Sequence, residues 1–196
     1  MERGYLIMAL AKHGITKGTP SNILLGAGVW FKDLAFSDSD WAGTPLGATS
    51  GGSSIKIQPE VLDIEIDGAQ VLAKGLAVMT GGTGEFEVNF AEITSEILQM
   101  TTLGSVDKAS VTGFDCIQTK NTIQEGDYIE NLGFVGYTAD QSKKIIAIMD
   151  YALCKSGFQI DPKNKENAVI KATFTAYGDI EGDLDRVPIR IYYPTA

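Results

Sequence analysis

The chain has 196 residues, with 16 Lys+Arg against 25 Asp+Glu and a formal net charge of −9. A hydrophobic fraction of 44% supplies material for a core and excludes a disordered chain. The acid excess disfavours nucleic-acid binding through phosphates, because such a surface repels the backbone instead of releasing its counterions.

The N-terminal stretch Tyr5–Ala11 is apolar but short, is preceded by Glu2 and Arg3, and runs at once into Lys12 and His13. It lacks a clear processing site for a secretory leader. No run approaches the roughly 20 apolar residues of a membrane span. Two readings of the start stay open, translation from Met1 or from Met8 with residues 1–7 as an upstream extension. Gly at 22 residues and charged residues at 21% then point to a turn-rich β protein. Ile23-Leu24-Leu25 leads through Gly26 and Gly28 into Val29–Leu34, which reads as an aromatic-rich strand. Phe36 through Gly52 reads as a long loop with Trp41 in its middle, and ordered loops of that length are usually functional. Trp41 either folds back onto its own domain or serves a partner surface.

Ile55–Asp67 alternates best: Asp63, Glu65 and Asp67 fall on one face of a strand, Ile64 and Ile66 on the other. A turn at Asp67-Gly68 leads to a strand over Val71–Met79. Gly81–Gly84 reads as a second turn, and Glu85–Phe90 alternates again with Glu85 and Glu87 on one face. Thr94 and Ser95 are N-cap candidates for a short helix over Glu96–Leu103, closed by Gly104. Strands are predicted over Ser110–Lys120, Tyr128–Tyr137, Ile145–Cys154, Ala168–Tyr177 and Val187–Tyr193. Ile145–Cys154 could be a buried helix by periodicity, and its β-branched content favours strand. No linker divides the chain, so a single domain is expected.

The chemistry is mostly exclusion. His13, the one histidine, has no Gly-x-Ser-x-Gly elbow to accompany it and reads as a surface residue. Gly47–Gly52 and Gly81–Gly84 lack the Gly-Lys-Ser/Thr ending of a phosphate-binding loop. Cys116 and Cys154 lie far apart without CxxC spacing, which gives neither a disulfide framework nor a zinc site and favours synthesis in a reducing compartment. The acidic rows admit three readings. Glycosidase carboxylates need a cleft with aromatic platforms. Calcium needs convergent oxygens, and strand-alternate positions diverge. The third is a wet sheet face. Like charges directly opposed across strands cost about 0.2–1 kcal/mol per pair, so repeated acidic rows suggest a face with a task. No catalytic residue, metal site or cofactor site is expected.

Five segments carry a resemblance: Asn22–Lys32, Leu46–Ser53, the row Asp63–Ala69, Gly84–Thr94, and the ending Val187–Pro194. Together they resemble the tail tube (major tail) proteins of long-tailed bacteriophages, over nearly the whole chain from about Lys12 onward. The resemblance implies a mainly β fold, a β-sandwich or β-barrel with one short flanking α-helix, as one domain over 1–196. Within it, 1–20 would be an N-terminal arm and 36–53 a long inter-strand loop. It also implies a non-enzymatic virion protein whose hexameric rings stack into the conduit for genome delivery, assembled in the host cytoplasm. The partners implied are further copies of itself and the tape-measure, tail terminator and distal tail proteins. DNA passes through without specific binding.

On that reading Asp63, Glu65, Asp67, Glu85 and Glu87 line the lumen, and Asp38, Asp40, Trp41 and Leu46 make the contact between rings. Unclosed heterologous stacking is how one small chain builds a filament. Two rivals remain: a tube of a bacteriocin or secretion apparatus, and a carbohydrate-binding β-sandwich.

Overall fold

The computed structural model describes residues 13–108 and 111–195. Most of the expected N-terminal arm (1–20) lies outside them. The fold is mainly β with one α-helix. In chain order the elements are β1 (Leu24–Ser37), β2 (Asp40–Pro45), β3 (Thr49–Asp63), β4 (Ala77–Phe90), α1 (Ser95–Thr102), β5 (Gly104–Asp107), β6 (Cys116–Thr119), β7 (Ile129–Thr138), β8 (Lys144–Cys154), β9 (Ile170–Ala176) and β10 (Ile189–Tyr192). Seven of them form an antiparallel sheet in the order β2-β1-β7-β8-β9-β4-β3, and β10 joins as its eighth strand along β8. β10 pairs with β8 at Ile146–Met149 and β9 pairs with it at Ala152–Cys154. β5 and β6 form a separate two-stranded ribbon.

Alternation decides which residues go inside. In β4 Phe86, Val88 and Phe90 are fully buried, and in β9 Ile170, Ala172 and Phe174 match them across the ladder. Trp30 of β1 is the centrepiece, with its ring centroid 5.3 Å from that of Phe86 and 5.2 Å from that of Phe134. Its indole N–H donates to Ser53 Oγ at 3.0 Å, so β1 meets β3 although four strands lie between them in the sheet order. The sheet therefore curls around its core in a barrel-like manner. The opposite face carries a second, smaller apolar cluster of Leu34, Val135, Ile146 and Ile148, partly covered by Phe31 and Trp41. Asp33, at φ 56°, breaks the alternation of β1 and brings Leu34 to that face, where Gly133 leaves room for it.

The helix forms as its capping residues predict. Thr94 Oγ1 accepts from the Ile97 N–H at 3.2 Å, and Ile97 and Thr101 are buried beneath it. Its left-handed closing residue is Leu103 (φ 48°), not Gly104. Gly104 instead opens β5, where a Cβ would stand 2.8 Å from the Gln118 carbonyl oxygen.

Four expectations need correction. The long loop 36–53 is a hairpin: β1 turns through Asp38 (φ 49°) and Ser39 (φ 71°) into β2, a two-residue turn with both central residues left-handed. Gly81–Gly84 is no turn but the middle of β4, where Gly82 and Gly84 let Val187 and Ile189 approach. Val71–Leu76 is connection, and the strand begins at Ala77. Of the strand expected over 110–120, only Cys116–Thr119 is one. The strand assignment of 145–154 holds, as β8.

Candidate functional site

Two surfaces stand out, and β3 and β4 build the first. β4 pairs with β9 only from Glu85 to Phe90, whereas its ladder with β3 runs on to Ala77↔Asp63. The far half of this hairpin therefore projects past β9, with β3, 15 residues long, as an edge that no other strand among the described residues pairs. Val61 and Leu62 are adjacent and point to opposite faces, yet they are 55% and 56% exposed, and Met79 is 68% exposed. Apolar side chains on both faces of a free two-stranded arm are what a monomeric domain avoids and an interface uses. At its end Asp67-Gly68 turns, with Ala69 N–H donating to the Ile66 carbonyl at 3.0 Å.

The register redistributes the five acids assigned to one lumen face. Glu85 lies opposite Lys56, with a 3.7 Å ion pair, and Glu87 lies opposite Ser54. The acidic rows therefore do not oppose one another, and the like-charge cost never arises. The β3–β4 register shifts between Glu60 and Val61, where Thr80 is the extra residue of β4, and beyond the shift Asp63, seven residues from Lys56, faces the other side from Glu85 and Glu87. Glu65 and Asp67 lie past the end of β3 altogether. The single acidic strand face thus separates into Glu60, Glu85 and Glu87 around Lys56 on one face, and a distinct acidic tip.

The second surface is an open groove of about 970 Å³ over the smaller apolar cluster. The Trp41 ring packs edge-on against Tyr192 at 4.7 Å and Phe36 at 5.3 Å. Trp41 thus folds back onto its own chain while keeping an exposed edge. Lys143, Lys144 and Arg190 line the groove alongside one acid, Asp40. Asp40 accepts from the Trp41 N–H at 2.8 Å and stands 3.6 Å from Lys144; the first contact and then the second hold its carboxyl below the usual range. Arg190 pairs with Asp150 and reaches Asn131. The Lys143 ammonium stands 5.1 Å over the Tyr193 ring and donates to Asn22 and Tyr193. It has no carboxylate partner among the described residues.

No protein-family model matches the chain, and no curated protein is detectably similar to it.

Of the residues assigned to ring contacts, Asp40 and Trp41 meet in this groove and Asp38 sits at the hairpin turn above it. Leu46 is 4% exposed and belongs to the main core, so its side chain is committed to folding. Sequence reasoning missed Tyr192, Tyr193 and the Lys143-Lys144 pair. The doublet of lysines before an apolar strand was visible, but nothing in the sequence shows that β10 and β2 converge on it. Among the described residues no group of three His, Cys, Asp or Glu converges as a metal site would require.

Proposed function

We propose that this chain is a structural subunit that assembles with copies of itself into stacked rings, as tail tube proteins of long-tailed bacteriophages do. The observation that carries the proposal is the projecting half of the β3–β4 hairpin. This 15-residue edge invites a neighbour's strand, and exposed Val61, Leu62, Val78 and Met79 supply apolar area that a neighbour can bury. Strand addition around a closed ring abolishes such edges. The resemblance of the five sequence segments to tail tube proteins points the same way.

In this reading the face bearing Glu60, Glu85 and Glu87 lines the passage. The same face carries Ser54, Gln58, Thr83, Thr173 and Thr175 together with Lys56 and Lys171, and its three carboxylates against two ammonium groups leave a small negative excess that repels phosphates. DNA then slides without adhering. The tape-measure, terminator and distal tail proteins are proposed as partners at the ends of such a tube, in the virion tail. Negative-stain electron microscopy and sedimentation velocity of the purified protein test the proposal. Tubes of uniform diameter are expected, and a monomer that persists at high protein concentration overturns it. The aromatic groove supports a second reading, a carbohydrate-binding β-sandwich, since Trp41 and Tyr192 line it with polar neighbours. Calorimetric titration with oligosaccharides separates the two.

A further inference from the structure

We infer that the acidic tip of the β3–β4 hairpin in one copy docks into the basic aromatic groove of the next, an inference that rests on the self-assembly reading above. The two surfaces are complementary in kind. The tip reads Ile64-Glu65-Ile66-Asp67, alternating apolar and acidic, with Ile64 43% and Ile66 55% exposed. Among the described residues neither Glu65 nor Asp67 forms an ion pair, and the backbone hydrogen bonds of 64–76 stay within the hairpin. The groove offers the opposite, with aromatic walls at Phe36, Trp41 and Tyr192 and cations at Lys143, Lys144 and Arg190. Three cations against one acid in its lining is an inversion of a chain in which acids outnumber bases 25 to 16.

Size fits as well. At about 970 Å³ the groove lies at the upper end of the roughly 300–1,000 Å³ of ordinary ligand clefts, room for a turn of chain more than for one side chain. Docking lets the isoleucines cover the exposed aromatic edges while Glu65 and Asp67 reach Lys143 and its neighbours. Charge complementarity of this sort sets register and suppresses wrong partners. Because tip and groove are different surfaces, the contact is heterologous: each copy uses its tip once and its groove once, and assembly propagates.

A charge swap tests the pairing. Two variants are made, Lys143→Glu with Lys144→Glu in the groove, and Glu65→Lys with Asp67→Lys at the tip. Thermal melts confirm that each folds. Each variant alone is expected to need at least about tenfold more protein to assemble than the wild type, a loss of about 1.4 kcal/mol per contact. An equimolar mixture restores assembly, since the reversed tip of one variant then meets the reversed groove of the other, and the unreversed tip meets the unreversed groove. Either variant assembling like the wild type overturns the inference, and so does a mixture that fails to recover while both components stay folded. Wild type that never assembles overturns the self-assembly reading itself, a distinct result. An independent measurement covers a variant that misfolds: Ile66→Cys with Lys143→Cys in one chain should give a disulfide-linked ladder on a non-reducing gel. Absence of any ladder from assembled protein counts against the pairing.

Discussion

The near half of the β3–β4 hairpin alternates apolar and polar residues, whereas the far half carries apolar side chains on both faces, and the two halves differ in what lies across from them. In the near half, Phe86, Val88 and Phe90 meet Trp30, Phe134 and Phe174 and are fully buried. In the far half, Val61, Val78 and Met79 are 46–68% exposed. Burial thus follows the neighbours in the sheet order. Exposed apolar residues of this kind are the area that the proposed self-assembly would bury.

The largest predicted effect breaks this comparison at its buried end. Phe86→Ala removes a ring from contact with Trp30 and leaves a cavity, which costs about 3–5 kcal/mol in chemical denaturation. Met79→Ser, on the same strand, changes monomer stability by less than about 0.5 kcal/mol because the side chain is 68% exposed. The serine variant should nevertheless impair assembly. Equal stability losses for the two variants would mean that the far half is covered within the monomer.

The comparison also explains what could be read from sequence. The near half, β7 to β10 and the helix were legible because alternation, or a Thr cap, is a local signal. Three features were not local. Gly82 and Gly84 look like turn residues until Val187 and Ile189 are known to lie against them. Asp38-Ser39 makes a hairpin turn without the Asn-Gly or Asp-Gly that announces one, so β2 looked like loop. The acids Asp63, Glu65 and Asp67 keep a two-residue spacing in the sequence after the strand that would give it meaning has ended. The groove was least legible, since its walls come from β1, β2, β8 and β10.

The next effect concerns the opposite face of the sheet, where the smaller cluster forms the groove floor. An added Cβ at Gly133 would stand 2.5 Å from Leu34 Cβ, an atom with little freedom to move. Gly133→Ala should therefore cost about 1–3 kcal/mol by overpacking. It should also loosen the β1–β2 hairpin over the groove, read as increased hydrogen exchange at Trp41. An unchanged melt would show that Leu34 can shift. A smaller loss, about 1 kcal/mol, is expected for Thr94→Ala, which removes the acceptor for the Ile97 N–H at the start of α1. Denaturation followed by circular dichroism measures it.

The smallest effect contrasts the hairpin tip, whose backbone hydrogen bonds are internal, with a turn fastened to a distant segment. Asp140, between β7 and β8, accepts from the Ser21 hydroxyl at 2.6 Å, then from the Ser142 hydroxyl and N–H and the Thr138 hydroxyl. These donors, Ser21 first, hold its carboxyl well below the ordinary range. A carboxyl with a depressed folded-state value favours the fold above its unfolded value, near about 4 for aspartate. That advantage declines as pH falls below this value and is gone once the folded carboxyl itself protonates. Asp140→Asn imitates the protonated form, so it should melt below the wild type at pH 7. The gap should begin to narrow only below about pH 4. Because the group is exposed, solvent and salt screen it and the gap stays small. A gap that stays constant on acidification would assign the loss to altered turn geometry, and Ser21 would then be a bystander to the carboxylate's charge.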